Sequence, residues 1–140
     1  MPERVLSSVE REVGYVPLVL VVEPDEETRD GIEQLLAADG YAIEAARDED
    51  DAVARASRCC PDLILVTVAG SPDAAVGTAV RIRRRAEIDA SVPVVVFCVP
   101  TIAQGAEIAL GRNVYVTRPD NFDQLRAFLL RLIVASIRSI

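Results

Sequence analysis

Residues 61–71 read PDLILVTVAGS. Pro61 halts the helix-patterned segment before it. Leu63, Ile64, Leu65 and Val66 then follow without alternation. A strand with one wet face alternates apolar and polar residues, so an unbroken apolar run of this length reads as a strand covered on both faces. Such a strand belongs in the middle of a parallel sheet. It delivers the next residue, Thr67, to the carboxyl edge, where the functional groups of open α/β sheets gather.

The same signature recurs outward from this segment, at 18–22 (LVLVV), 94–97 (VVVF) and 114–116 (VYV). A weaker run at 41–46 (YAIEAA) reads as a fifth strand. Helical patterns separate them. Ile32, Leu35 and Leu36 share one face of a helix that starts near Asp25 and stops at Gly40. Asp48 is an N-cap for a helix that runs to Cys60. Segments 73–86, 102–110 and 122–137 supply three more. Strand and helix thus alternate five times, which predicts a flavodoxin-like (βα)5 domain: a doubly wound parallel sheet of order 2-1-3-4-5. Its carboxyl edge would carry Glu23, Pro24 and Asp25, then Thr67, then Cys98, then Thr117 and Arg118.

Two segments lie outside that frame. Residues 1–16 form an extension ahead of a domain spanning 17–140. Val5, Leu6, Val9 and Val13 fall at helical spacing, with Pro2 at a helix start, Gly14 past a helix end and Pro17 beyond. An extra helix over 2–13 and a frayed leader are both open. The last helix has one apolar stripe (Leu125, Phe128, Leu129, Leu132, Ile133) and a second (Leu130, Val134, Ile137). A helix apolar on two sides needs a second partner, which is the N-terminal helix, another subunit or another protein.

Composition narrows the function. The chain of 140 residues suits one domain, and 51% hydrophobic residues build a real core. A net charge of -7 argues against binding nucleic acid through its phosphates. Histidine is absent, which removes Ser-His-Asp and Cys-His catalysis and histidine metal sites. Cys59, Cys60 and Cys98 are too few and badly spaced for zinc, and with no secretory segment they point to a reducing cytoplasm. No apolar run is long enough to span a bilayer. Arg81, Arg83, Arg84 and Arg85 read as a solvated charged face, and Asp48, Glu49, Asp50 and Asp51 as acids favoured at a helix start.

The order and spacing of VLVVEPDEE, GYAIEAARDEDDAVARA, PDLILV, IDASVPVVVF and VYVTRPDNFDQL resemble the receiver domains of bacterial two-component response regulators, over about residues 17–137. The resemblance implies a site that takes a phosphoryl group from a histidine kinase onto an Asp ending the third strand. An acidic pair after the first strand helps hold Mg²⁺, and a hydroxyl and a lysine contact the phosphoryl oxygens. The carboxylate is the nucleophile, the metal neutralises charge, and the cation and hydroxyl steady the transferred group.

Carried over residue by residue, this chain departs from the pattern. Thr67 stands at the acceptor position, and its hydroxyl is a poor nucleophile without a base. Glu23 and Pro24 replace the acidic pair, with Asp25 one residue on. Cys98 holds the hydroxyl position, and Arg118 holds the lysine position with a different shape and reach. Tyr115 matches an aromatic that in receivers swings between rotamers on activation. With one or two carboxylates left, no useful Mg²⁺ affinity is expected, and no metal or cofactor is assigned. A permanent bidentate pair between Arg118 and Glu23 is the expected substitute.

These readings predict a stand-alone, degenerate receiver: a non-enzymatic, phosphorylation-independent module for protein interaction in the cytoplasm. Because the chain ends at Ile140, output is expected to pass through a protein partner or a homodimer. The surface would be that of the fourth helix, fifth strand and last helix, with no nucleic acid or membrane involved. A third reading is residual regulation by phosphorylation elsewhere or by a small ligand at the Glu23–Arg118 edge, and the alternative from a different class is a small cytosolic ligand-binding or enzymatic domain on the same fold. The absence of a Gly-rich phosphate loop after the first strand disfavours it.

Overall fold

A computed structural model of the chain describes residues 6–67, 70–97 and 99–138. The elements among the described residues follow in the order α1 (Ser8–Val13), β1 (Leu18–Val22), α2 (Glu26–Asp39), β2 (Ala42–Ala46), α3 (Glu49–Cys59), β3 (Leu63–Thr67), α4 (Pro72–Arg85), β4 (Val94–Phe97), β5 (Glu107–Gly111), β6 (Val114–Thr117) and α5 (Phe122–Arg138). The sheet order is β2-β1-β3-β4-β6-β5. Its first five members are parallel, and β5 pairs antiparallel with β6 at the edge. This is the flavodoxin-like frame expected from the sequence, with β6 as its fifth strand and one antiparallel strand added.

Unbroken apolar runs fill the strands because both sheet faces are covered. On one face, Leu20, Ile64, Val66, Val94 and Val96 pack under Ala52, Ala56, Ala75, Ala79 and Ile82 of α3 and α4. The alanines let these helices lie close to the sheet. On the other face, Val19, Val21, Leu63, Leu65 and Val95 meet Leu36 of α2 and Leu125, Phe128, Leu129 and Ile133 of α5. Polar caps start the helices: the carboxylates of Asp25 and Asp48 accept from the N–H groups of Thr28 (2.9 Å) and Asp51 (2.8 Å).

The expected helix over 102–110 is not formed. Residues 107–111 are the edge strand β5, bulged between Ala109 and Gly111. Gly111, Arg112 and Asn113 have φ of 95°, 54° and 62°. Three successive left-handed residues turn the chain sharply back into β6, and a tight hairpin forces an antiparallel strand before it. Ile108 and Leu110, two residues apart, already have strand spacing, and the turn after them decides.

The N-terminal helix forms, and it starts at Ser8 rather than near residue 2; residues 1–5 lie outside the described residues. Ser7 Oγ accepts from the N–H of Glu10 at 3.1 Å, and Gly14 ends the helix at φ 84°. Val9 is buried in the same cluster as α5, with Val13, Leu130 and Ile137 partly buried beside it. The second apolar side of α5 therefore faces a partner within its own chain.

Candidate functional site

β1 and β3 are neighbours with Val22 beside Val66, so the residues just past them, Glu23 and Thr67, arrive side by side at the carboxyl edge. Glu23 is buried. The Thr67 hydroxyl donates to Glu23 Oε2, and the Val22 carbonyl stands 3.4 Å from it as a further acceptor. The backbone N–H of Asp25 reaches the other oxygen, Glu23 Oε1, at 3.4 Å. The residue at the acceptor position and the one remaining acid of the pair thus satisfy each other.

The loop after β1 is held in the same closed manner. Asp25 caps α2: its Oδ2 accepts from the N–H (2.9 Å) and hydroxyl (2.7 Å) of Thr28. Those bonds, from the Thr28 hydroxyl first, hold its carboxyl below the usual aspartate range. Pro24 is exposed and offers only its carbonyl. Arg29, which the sequence reading did not single out, donates from Nη1 to the Glu23 carbonyl at 3.0 Å. An arginine on the first turns of a helix carries no signal that it will fold back on the preceding loop.

The expected pair between Glu23 and Arg118 is absent. Arg118 Nη1 donates to the carbonyls of Ile102 (3.2 Å) and Pro100 (3.4 Å), while Glu23 is taken by Thr67. The loop between β4 and β5, which does not become a helix, supplies those carbonyls. Thr117, placed at the carboxyl edge by the sequence, is buried next to it and donates to the Ala106 carbonyl at 2.9 Å. Cys98 lies outside the described residues. Tyr115 is at the opposite end of its strand from a carboxyl-edge site. Its hydroxyl donates to Asn113 Oδ1 at 2.8 Å, and its ring meets Phe128 edge-on at 5.8 Å.

A cleft of about 230 Å³ opens beside Thr67, walled by Val22, Pro24, Arg47, Glu49, Ala75 and Thr78. A divalent cation of the kind receivers use needs two or more free hard oxygens here. Glu23 is bonded by Thr67 and Asp25 is turned to Thr28, so the residues present do not fit that ion. Among the described residues no three acidic or cysteine side chains converge.

Arg81, Arg84 and Arg85 lie on the exposed face expected for them, and Glu49, Asp50 and Asp51 open α3 as expected. Glu49 receives Arg81 (2.8 Å) and Arg85 (2.7 Å), and Arg85 also meets Asp50 at 2.9 Å, which ties α4 to α3. Arg83 is buried, away from that network.

No protein-family model matches the chain, and no curated protein matches it in sequence. Solved structures do. The receiver domain of the sensor histidine kinase PA1611 of Pseudomonas aeruginosa, which has a magnesium ion in its active-site cleft, is 28% identical with a TM-score of 0.64. That match covers 84% of this chain and 98% of that one. The chemotaxis protein CheY4 of Vibrio cholerae is 18% identical over 84% of this chain and 98% of its own, with a TM-score of 0.59. The receiver domain of the LuxO repressor protein of Vibrio parahaemolyticus is 16% identical over 89% and 95%, with a TM-score of 0.64. The fold is that of response-regulator receiver domains, and the likeness supports a signalling domain of that class. Among the described residues no helix is long and apolar enough to cross a membrane.

Proposed function

We propose that this chain is a degenerate receiver, a signalling and protein-interaction module that works without an aspartyl phosphate. The observation that carries this reading is the bond between Thr67 and Glu23. In a phosphorylatable site a carboxylate is free to attack, and a metal neutralises the incoming charge. Here the attacking position holds a hydroxyl, a weaker nucleophile than a carboxylate, and it already donates to the buried carboxylate of Glu23. Pro24 removes one metal ligand, and Asp25 is committed to capping α2. Arg118 keeps the positive charge but is directed at loop carbonyls, so no preformed cradle for a phosphoryl group remains.

Output then passes through contact with protein partners or self-association in the cytoplasm, with neither nucleic acid nor membrane as a target. The face formed by β6 and α5 remains a candidate for a dimer, although the helix expected over 102–110 to flank it is not formed. Part of the apolar surface that recommended it is covered by α1.

The test is exposure of the full chain to acetyl phosphate, or to beryllofluoride, each with Mg²⁺. Intact mass and backbone amide spectra are the readouts. Unchanged mass and unchanged spectra are expected. A stable adduct, or shifts at Glu23, Asp25 and Thr67 on adding beryllofluoride, would overturn the reading.

A further inference from the structure

α4 presents Val76, Val80 and Arg83 at i, i+4 and i+7, one stripe along the helix. With Leu110, Arg112 and Val114 of the β5–β6 hairpin this stripe lines a cleft of about 440 Å³. It lies towards the amino ends of β4 and β6, away from Thr67. Its walls are apolar and open: Val80 is 37% exposed and Leu110 52%. Ile108, 39% exposed, stands opposite Val116, whose side chain belongs to the α3–α4 face, so Ile108 extends the same apolar surface.

The floor of the cleft is cationic. Arg83 is buried, yet no carboxylate pairs it among the described residues; its Nη1 donates to the carbonyls of Val92 (3.2 Å) and Asn113 (3.5 Å). A buried charge without a counter-charge is costly. Burial, and then the neighbouring charge of Arg112, push the Arg83 guanidinium below its usual range. Among the described residues these two adjacent guanidinium groups have no acid partner, in a chain of net charge -7. The flanking arginines of α4, Arg81 and Arg85, both have their acids. The third feature is the edge itself. β5 pairs only with β6, so its outer row of backbone groups has no strand partner among the described residues. The bulge sits at the hairpin end and leaves 107–109 regular.

We propose that this cleft and the free edge of β5 dock an extended segment of a partner protein, bearing two aliphatic side chains two residues apart and a carboxylate at the Arg83–Arg112 end. The segment adds to β5 as a seventh strand and places alternate side chains on one face. The aliphatic pair covers Ile108, Leu110 and Val80. The carboxylate supplies the counter-charge that Arg83 and Arg112 lack, in the forked geometry that guanidinium groups favour. This deepens the interaction-module reading, names a surface distinct from β6 and α5, and does not depend on the chemistry at Thr67.

The probe is the blocked peptide acetyl-Thr-Val-Thr-Val-Thr-Glu-amide, titrated into the full ¹⁵N-labelled chain and followed by amide and arginine Nε–H shifts. Expected are shifts confined to 107–112 and Arg83, with about tenfold weaker binding when Gln replaces the terminal Glu. Arg112→Asn, which tolerates the left-handed turn, weakens the Glu peptide to the level of the Gln peptide, and Leu110→Asp abolishes binding of both. Equal binding of the two peptides, or shifts centred on Thr67 instead, would overturn the proposal. So would shifts at 107–112 on concentrating the protein alone, since the edge would then serve a second copy. None of these outcomes bears on the acetyl phosphate experiment, so the two readings fail separately.

Discussion

Thr67 and Glu23 pose a question of satisfaction that substitutions separate. Removing the hydroxyl with Thr67→Val keeps the shape and leaves a buried carboxylate with only the long bond from the Asp25 N–H. An unsatisfied buried acceptor costs about 1–3 kcal/mol, and a charged one lies at the upper end. Glu23→Gln keeps an acceptor for the Thr67 hydroxyl and removes the charge, so it costs under about 1 kcal/mol. Urea denaturation of the two variants checks the order; equal effects would mean that the bond contributes nothing. Tyr41 is the opposite case. Its hydroxyl is buried and has no partner among the described residues. Deleting an atom that already lacks a partner removes a penalty, so Tyr41→Phe leaves stability at neutral pH unchanged or raises it by about 1 kcal/mol, read as an increase in urea midpoint.

At the scale of elements, α1 is joined to the domain through Ser7, and Gly40 is what permits the contact. Gly40 ends α2 at φ 106°, and a side-chain carbon placed there would overlap the Ser7 side chain. Gly40→Ala therefore carries both the left-handed penalty, about 1 kcal/mol, and displacement of the α1 cap. The expected result is a loss of about 2 kcal/mol, with α1 amides exchanging faster than those of β1. If α1 amides keep their protection, the segment is held by Val9 alone. The same element shows where sequence reading stops. Four of the five parallel strands were legible from runs of apolar residues and β2, which carries Glu44, from its place in the alternation, and the caps at Asp25 and Asp48 because their spacing is local. Segment 102–110 was not, since its place between two strands of an alternating pattern suggested a helix and the deciding residues, Gly111 to Asn113, lie beyond it. At the site, the residue types at the carboxyl edge were legible from strand register alone. That Arg118 turns from Glu23 to the carbonyls of Pro100 and Ile102 was not, because an arginine accepts any nearby oxygen and the loop conformation chooses. Arg83 was hidden inside a run of arginines that looks uniformly solvated.

For the whole molecule, the ionisable groups make an unusual set: 15 arginines, no lysine and no histidine. Arginine stays charged throughout the accessible range. Between pH 7 and 12 the groups left to titrate are the thiols, the phenols and the amino terminus. Tyr41 is pushed up to about 12 by burial and then by Asp39; Tyr15 is pushed up to about 12 by burial and by Asp62, whose Oδ1 accepts its hydroxyl at 3.0 Å. Both folded values lie above the unfolded value near 10. Raised values of this kind contribute stability that is fully present below pH 10 and is lost as pH rises through 12. Burial raises the Cys59 thiol as well, and its contribution fades from a lower pH. The acid side runs in reverse. Glu49 is held below its ordinary value by Arg81, with Arg85 adding to it, so the tie between α3 and α4 is present above about pH 4.5 and weakens as pH falls further. Stability is therefore expected to be flat from about pH 6 to 8 and to fall steeply between 10 and 12. Tyr41→Phe should remove about 2 kcal/mol of that alkaline fall while leaving the acid limb in place. Glu49→Gln should flatten only the acid limb, by under about 1 kcal/mol, because its partners are partly exposed. Urea midpoints measured every half unit from pH 3 to 12 on the three proteins check the assignment. An alkaline limb unchanged in Tyr41→Phe would place the loss at Tyr15 and the thiols, and would mean that the Tyr41 phenol reaches solvent.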